Sequence, residues 1–258
     1  MFPADPVAWM LIFARISAML AIFPIFSSSY FPVQIRVALG ALLSFLVAAT
    51  LPPHAVAGLT SSWWGMVSVL ATEVGIGLLL GFVSRMVFYA LDAAGNIIAT
   101  EMGLMLAADF NPFSNARTET IGVILNYLAI TLFLSTDLHH WAIIAMQRSY
   151  VLLPIGGAGL SAGLFVDVVK RTSWIFVLAA QLSAPLIATS FVITLVFSVL
   201  GRAVPQMNVF AEHFAFRTMA GLFVFGLTLN LSAQHIMNYL HRLPEDMLRV
   251  AQLLGGRA

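Results

Sequence analysis

Five ionisable residues interrupt otherwise apolar stretches of the chain: Arg15, Glu73, Arg85, Asp92 and Glu101. A charge at the middle of a bilayer costs at least ~2.5–3.5 kcal/mol unless it is paired or hydrated. All five are therefore buried-charge candidates, and Arg85 and Asp92, seven residues apart on one helix face, suit a local ion pair. The plainer alternative is that these side chains snorkel to a membrane interface. No catalytic grouping accompanies them. No Ser/His/Asp set stands out, and neither an HExxH nor a GxSxG motif is present. His139 and His140 are adjacent, so on a helix they should point apart, and neither has an acid or a histidine four residues on; no metal site is expected. The stretch PIGGAG at 154–159 lacks the Gly-Lys-Ser/Thr ending that would cradle a phosphate, and reads as a flexible loop. Zero cysteines exclude a disulfide framework, a thiolate metal site and a cysteine nucleophile. The expectation is a non-enzymatic chain with no cofactor.

The elements that must position these charges are membrane helices. Of 258 residues, 60% are hydrophobic and 9% charged, against ~25% charged in a soluble domain. That leaves too little polar surface to cover a water-soluble core. At roughly 20 apolar residues per span, the length limits the protein to about six to eight segments. Backbone groups in lipid must be satisfied internally and no alternating strand pattern appears, so the fold class is all-α. Net charge is +1, and the 12 basic residues are spread along the chain; without a basic stripe, nucleic-acid binding is not expected. The opening MFPADPVAWM carries an acid and two prolines where a signal peptide has a basic region, and is expected to be retained.

Apolar helical segments are expected near 7–26, 33–51, 63–90, 93–108, 120–134, 141–153, 171–200 and 214–240, separated by turn chemistry. Pro185 should kink the long run 172–201, whereas the charge-free run 74–84 is too short to cross a bilayer by itself. Gly75, Gly77 and Gly81 include a Gly-xxx-Gly step at 77 and 81, which suits either close helix packing or an assembly contact. Lys and Arg do not alternate between loops, so orientation is weakly marked. The tail HRLPEDMLRVAQLLGGRA has an amphipathic period and is expected at the cytoplasmic surface.

Two polar stretches are chemically unusual. In EMGLMLAADFNPFSN, turn-formers alternate with Phe110 and Phe113. In GRAVPQMNVF, Arg202 and Pro205 break an apolar hairpin while Gln206 and Asn208 offer amide donors and acceptors. By physics alone the second is a turn at a membrane boundary or a contact site at a pore entrance.

These landmarks, with FARISAMLAIFPIFSSSYFPVQIRVALG near the start and YVLLPIGG further on, resemble the FliR family of flagellar export-gate proteins over essentially the whole chain. The most specific is Arg-x-x-Pro-Gln-x-Asn-x-Phe. The T-family proteins of virulence type III secretion share much of the pattern, but AVPQMNVF and FRTMAGLFVFGLTL favour the flagellar branch. The resemblance implies an all-α membrane protein, a single export-gate domain over 1–258, with a P-like portion over about 1–170 and a Q-like hairpin and tail over about 171–258. It implies P-family and Q-family companions, a B-family switch protein, unfolded export substrates, and a place in the flagellar basal body at the bacterial inner membrane. It assigns a channel plug to Ala108, Asp109, Phe110, Asn111, Pro112, Phe113, Ser114 and Asn115, and partner contacts to Arg202, Pro205, Gln206 and Asn208. The rival class is a small-solute transporter, against which no convincing internal repeat is found.

Overall fold

The computed structural model describes residues 6–27, 31–50, 62–104, 120–159, 161–204, 206 and 208–256. Ala108–Asn115 and Pro205 lie outside the described residues. Among these there are eight α-helices and no strand: α1 (Pro6–Ile22), α2 (Val33–Thr50), α3 (Trp63–Glu101), α4 (Thr120–Ser135), α5 (Leu138–Leu152), α6 (Ala162–Ala203), α7 (Val209–Leu240) and α8 (Leu243–Leu254). The all-α reading is thus met. Four helical stretches are long and apolar enough to cross a membrane, Val33–Thr50, Trp63–Glu101, Ala162–Ala203 and Ala211–Leu254; α4 and α5 together make a fifth if they form one broken span.

The chain divides into two compact units. The first comprises residues 1–86, 136–172 and 240–258. Within it α1 begins on Pro6, whose fixed φ suits a first helical position. Its buried residues Leu11, Ile12, Arg15, Ile16, Met19 and Leu20 recur at helical spacing and form one face. Helix α2 packs on α1 through small residues, Gly40 and Ser44 among them; a Cβ at Gly40 would sit 2.8 Å from Ser17 Oγ. The α3 face carrying Gly77 and Gly81 also lies on α1. A Cβ at Gly77 would fall 2.1 Å from the Arg15 carbonyl oxygen, and one at Gly81 would fall 2.8 Å from that of Met19, whereas Gly75 meets nothing within 4 Å. Of the two readings of the Gly-xxx-Gly step, close packing within the chain is the one observed. Helix α8 packs on α5 with Leu243, Met247, Val250, Ala251 and Leu254 buried, so the tail's amphipathic period serves the chain's own core.

The second unit comprises residues 87–135 and 173–239. There α3 and α4 touch backbone to backbone: a Cβ on Gly95 would lie 2.3 Å from the Gly122 Cα. Further along, Gly103 takes φ 77°, the left-handed geometry of a helix-ending glycine, just past the end of α3, and packs against the Phe214 ring.

The largest differences from the expected boundaries lie in the two longest helices. The segments placed at 63–90 and 93–108 are one 39-residue helix ending at Glu101. Asp92-Ala93-Ala94-Gly95 contains no proline, and Gly95 serves packing rather than breaking. The segment placed at 171–200 is the 42-residue α6, which begins at Ala162; Asp167 and Lys170 look like loop by composition but lie within it, with Arg171 Nε 2.5 Å from Asp167 Oδ2 in an i,i+4 pair. Pro185 lies inside α6 without ending it. Ser183 donates to the Ala179 carbonyl and Thr189 to the Pro185 carbonyl.

Candidate functional site

The first unit is organised around a charged pair with no solvent exposure. Arg15 and Glu73 are each 0% exposed. Arg15 Nε donates to Glu73 Oε2 at 2.6 Å and Nη2 to Oε1 at 3.1 Å, the two-pronged geometry that makes a guanidinium–carboxylate pair strong. Nη1 and Nη2 both also donate to the Leu153 carbonyl at 3.2 Å, and Nη1 reaches Ser149 Oγ. The guanidinium carbon stands 4.0 Å from the centroid of the Tyr150 ring, and Tyr150 Oη donates to the Ile12 carbonyl at 3.2 Å. Glu73 Oε1 accepts a further bond from the Gly156 N–H at 3.1 Å.

Desolvating two charges costs several kcal/mol each, recovered only when geometry is good and the remaining donors and acceptors are filled; here they are filled. The centre joins α1, α3, the end of α5 and the glycine-rich turn. That turn, expected to be a flexible loop, is held at both ends: Gly156 (φ 75°) bonds Glu73, and the Gly159 N–H donates to the Leu254 carbonyl at 2.9 Å. Every polar atom named here is occupied by its neighbours, so the arrangement suits rigidity rather than reaction.

A second polar cluster lies in the second unit. Arg217 Nη2 pairs with Glu101 Oε2 at 2.9 Å, their side chains 22% and 26% exposed, and the buried Ser190 hydroxyl donates to the same oxygen. Arg217 Nε donates to the Glu101 carbonyl, and Thr218 Oγ1 donates to that of Met102 at 2.9 Å. Helix α7 thereby fills carbonyls at the C-terminus of α3 that no helical amide can reach.

The remaining charges take different surroundings. Arg85 is half-buried and donates to Ser27 Oγ at 3.0 Å. Asp92 is exposed in the chain and accepts from Asn126 Nδ2 at 2.5 Å. Burial therefore fails as an expectation for Asp92, and its partner is not Arg85. The close Gly95–Gly122 approach leaves Asp92 on the rim of the α3–α4 contact, where the nearest polar group is Asn126. Arg202, Gln206 and Asn208 are all exposed. Asn208 also caps α7: its Oδ1 accepts from the Ala211 N–H at 3.4 Å.

Sequence reasoning missed Arg217. A signal was present, since Arg217 is a lone cation in the apolar run FAFRTMAGLFVFGL and Glu101 is a charge of opposite sign. Ser149 and Tyr150 carried no comparable signal, because their role comes only from where Arg15 lies in space.

Residues 7–243 match the family described as Bacterial export proteins, family 1. The chain is 30% identical to the flagellar biosynthetic protein FliR of Pectobacterium carotovorum subsp. carotovorum, covering 92% of this chain and 90% of that one. It is 33% identical to FliR of Caulobacter vibrioides, with 85% and 87% covered. The Yop proteins translocation protein T of Yersinia pestis is 31% identical over 55% of each chain. The long match and its apolar helices make this chain a member of family 1 of the bacterial export proteins, the family that includes the flagellar biosynthetic protein FliR.

Proposed function

We propose that this chain joins P-family and Q-family companions and a B-family switch protein to form the channel through which unfolded flagellar proteins cross the bacterial inner membrane. The chain is a subunit of the flagellar type III export gate. In this reading it is non-enzymatic, sits in the flagellar basal body, and contributes a P-like portion over about 1–170 and a Q-like hairpin and tail over about 171–258.

The observation that supports assembly is how little of its most apolar surface the chain covers itself. Only 17% of the most apolar window of α6 is buried, and 11% of that in Ala211–Leu254. Phe176, Phe191, Val199, Phe216, Met219 and Phe223 all stand exposed. The apolar faces of α6 and α7 are therefore open to other helices as well as to lipid.

The same reading assigns Ala108–Asn115 to the channel plug. Two phenylalanine rings give volume, and Asn111, Pro112 and Ser114 keep the backbone out of helix. The bonds of Arg217 and Thr218 to Glu101 and Met102 favour this assignment, because they fix the chain shortly before the segment begins. The deciding measurement compares ion flux through the reconstituted gate complex with and without Phe110–Ser114. The shortened chain should assemble with its companions and leak. An assembled complex as tight as wild type would reassign the loop to a membrane-surface turn.

A further inference from the structure

Outside the two polar clusters, one set of ligating side chains stands out among the described residues, at the first turn of α5. Asp137, His139 and His140 each offer a ligand atom, and the three atoms lie within 4.8 Å of one another. The adjacent imidazoles do not diverge as expected: their ring centroids are 4.1 Å apart and their planes are inclined by 38°. Asp137 takes left-handed backbone angles, φ 56° and ψ 19°, immediately before the helix, and its carboxylate lies beside the histidine rings.

Three observations show that hydrogen bonds leave these side chains available. Asp137 occupies the N-cap position but makes no side-chain capping bond, although an aspartate there ordinarily accepts from the second or third helical N–H. Its Oδ1 stands 3.6 Å from His140 Nδ1, too far for a hydrogen bond. His139 Nδ1 is closed to solvent and has no hydrogen-bond partner, an arrangement that carries the full desolvation penalty of a polar atom.

We propose that Asp137, His139 and His140 bind a borderline divalent cation of the Zn²⁺ type. Two imidazole nitrogens and one carboxylate oxygen suit Zn²⁺, Co²⁺ or Ni²⁺, whereas Mg²⁺ and Ca²⁺ prefer oxygen throughout. Bonds of about 2.0–2.2 Å in tetrahedral array put neighbouring ligand atoms ~3.4 Å apart. The side chains of Asp137 and His140 are 74% and 66% exposed, free to rotate inward toward the less exposed His139. Three protein ligands leave one coordination position for water or a further donor. A cation there would draw on His139, whose closed-off Nδ1 an Asp137–His140 ion pair leaves without a partner, and would cross-link the first turn of the helix whose other end holds Ser149 and Tyr150 against Arg15. The inference stands independently of the gate reading.

The test uses the full chain in its detergent-solubilised assembly, stripped with a chelator and titrated with Zn²⁺ by calorimetry, then with Co²⁺ by visible absorption. The expected result is one Zn²⁺ per chain and a Co²⁺ ligand-field band. His140→Ala should weaken Zn²⁺ binding about 100-fold and Asp137→Asn about tenfold, while His241→Ala, an exposed histidine elsewhere, leaves it unchanged. Both ligand variants alter exposed side chains, so elution of the assembly at its normal volume shows that they fold. No stoichiometric binding, or equal affinity in wild type and His140→Ala, would overturn the proposal and leave an adventitious ion only.

Discussion

The two polar clusters use the same chemistry, an arginine, a glutamate and a serine, in opposite settings. Around Arg15 and Glu73 everything is closed: both side chains are fully buried, and the arginine's partners come from α3 and the end of α5. Around Glu101 and Arg217 the side chains keep about a quarter of their exposure, and the arginine is divided between a carboxylate and backbone carbonyls at a helix end. A sealed pair loses heavily if one partner goes, because the other is left charged and unsolvated. A half-open pair can fall back on water. The first cluster therefore serves as a fixed joint, and the second as a helix-end clasp.

The sharpest way to break this contrast is to remove one member of the sealed pair. Glu73→Leu should destabilise the chain by about 3–5 kcal/mol and abolish recovery of the assembly, with Arg15→Met/Glu73→Leu recovering more than either single variant. Thermal unfolding of the solubilised complex reads this directly. A mild effect of Glu73→Leu would show that water reaches the centre and that the contrast is overstated.

A smaller effect is expected from packing beside the same pair. Gly77→Ala drives a methyl against the Arg15 carbonyl oxygen and should cost about 1–3 kcal/mol, while Gly75→Ala, with open space, should be neutral or slightly stabilising through helix propensity. Equal melting temperatures for the two alanine variants would mean that α1 and α3 are not in contact here. The smallest effect belongs to the clasp. Glu101→Gln keeps a hydrogen-bond acceptor and should lower stability by about 1 kcal/mol or less. Its clearer signature is faster amide exchange at the end of α3, and unchanged exchange there would remove the clasp from the comparison.

The helical class was readable from composition alone, and the ends of α2 and α4 and the C-terminal end of α7 from turn residues; the start of α7, expected at 214, lies at Val209 behind the Asn208 cap. Arg15 and Glu73 stood out because charge in an apolar run is rare. Their pairing did not, since 58 residues separate them and spacing rules reach only one or two helical turns. Asp92 misled for a related reason: an acid in an apolar run looks interior until the Gly95–Gly122 contact shows which face of α3 is covered. His139 and His140 misled because the rule that adjacent helical side chains diverge assumes interior helix geometry, and they lie in the first turn of α5, just after the left-handed Asp137.

Helices of 39 and 42 residues have contour lengths near 58 and 63 Å at 1.5 Å per residue, about twice the hydrocarbon thickness of a bilayer. Ordinary spans find their height by hydrophobic matching, sliding or tilting until apolar length and lipid thickness agree. Neither α3 nor α6 has a simple match to find: the charge-free run 172–201 of α6 is longer than the hydrocarbon is thick, and α3 is broken by Glu73, Arg85 and Asp92 into shorter apolar runs. Hydrophobic matching alone therefore does not set the depth of either helix, in contrast to an ordinary span of about 20 residues.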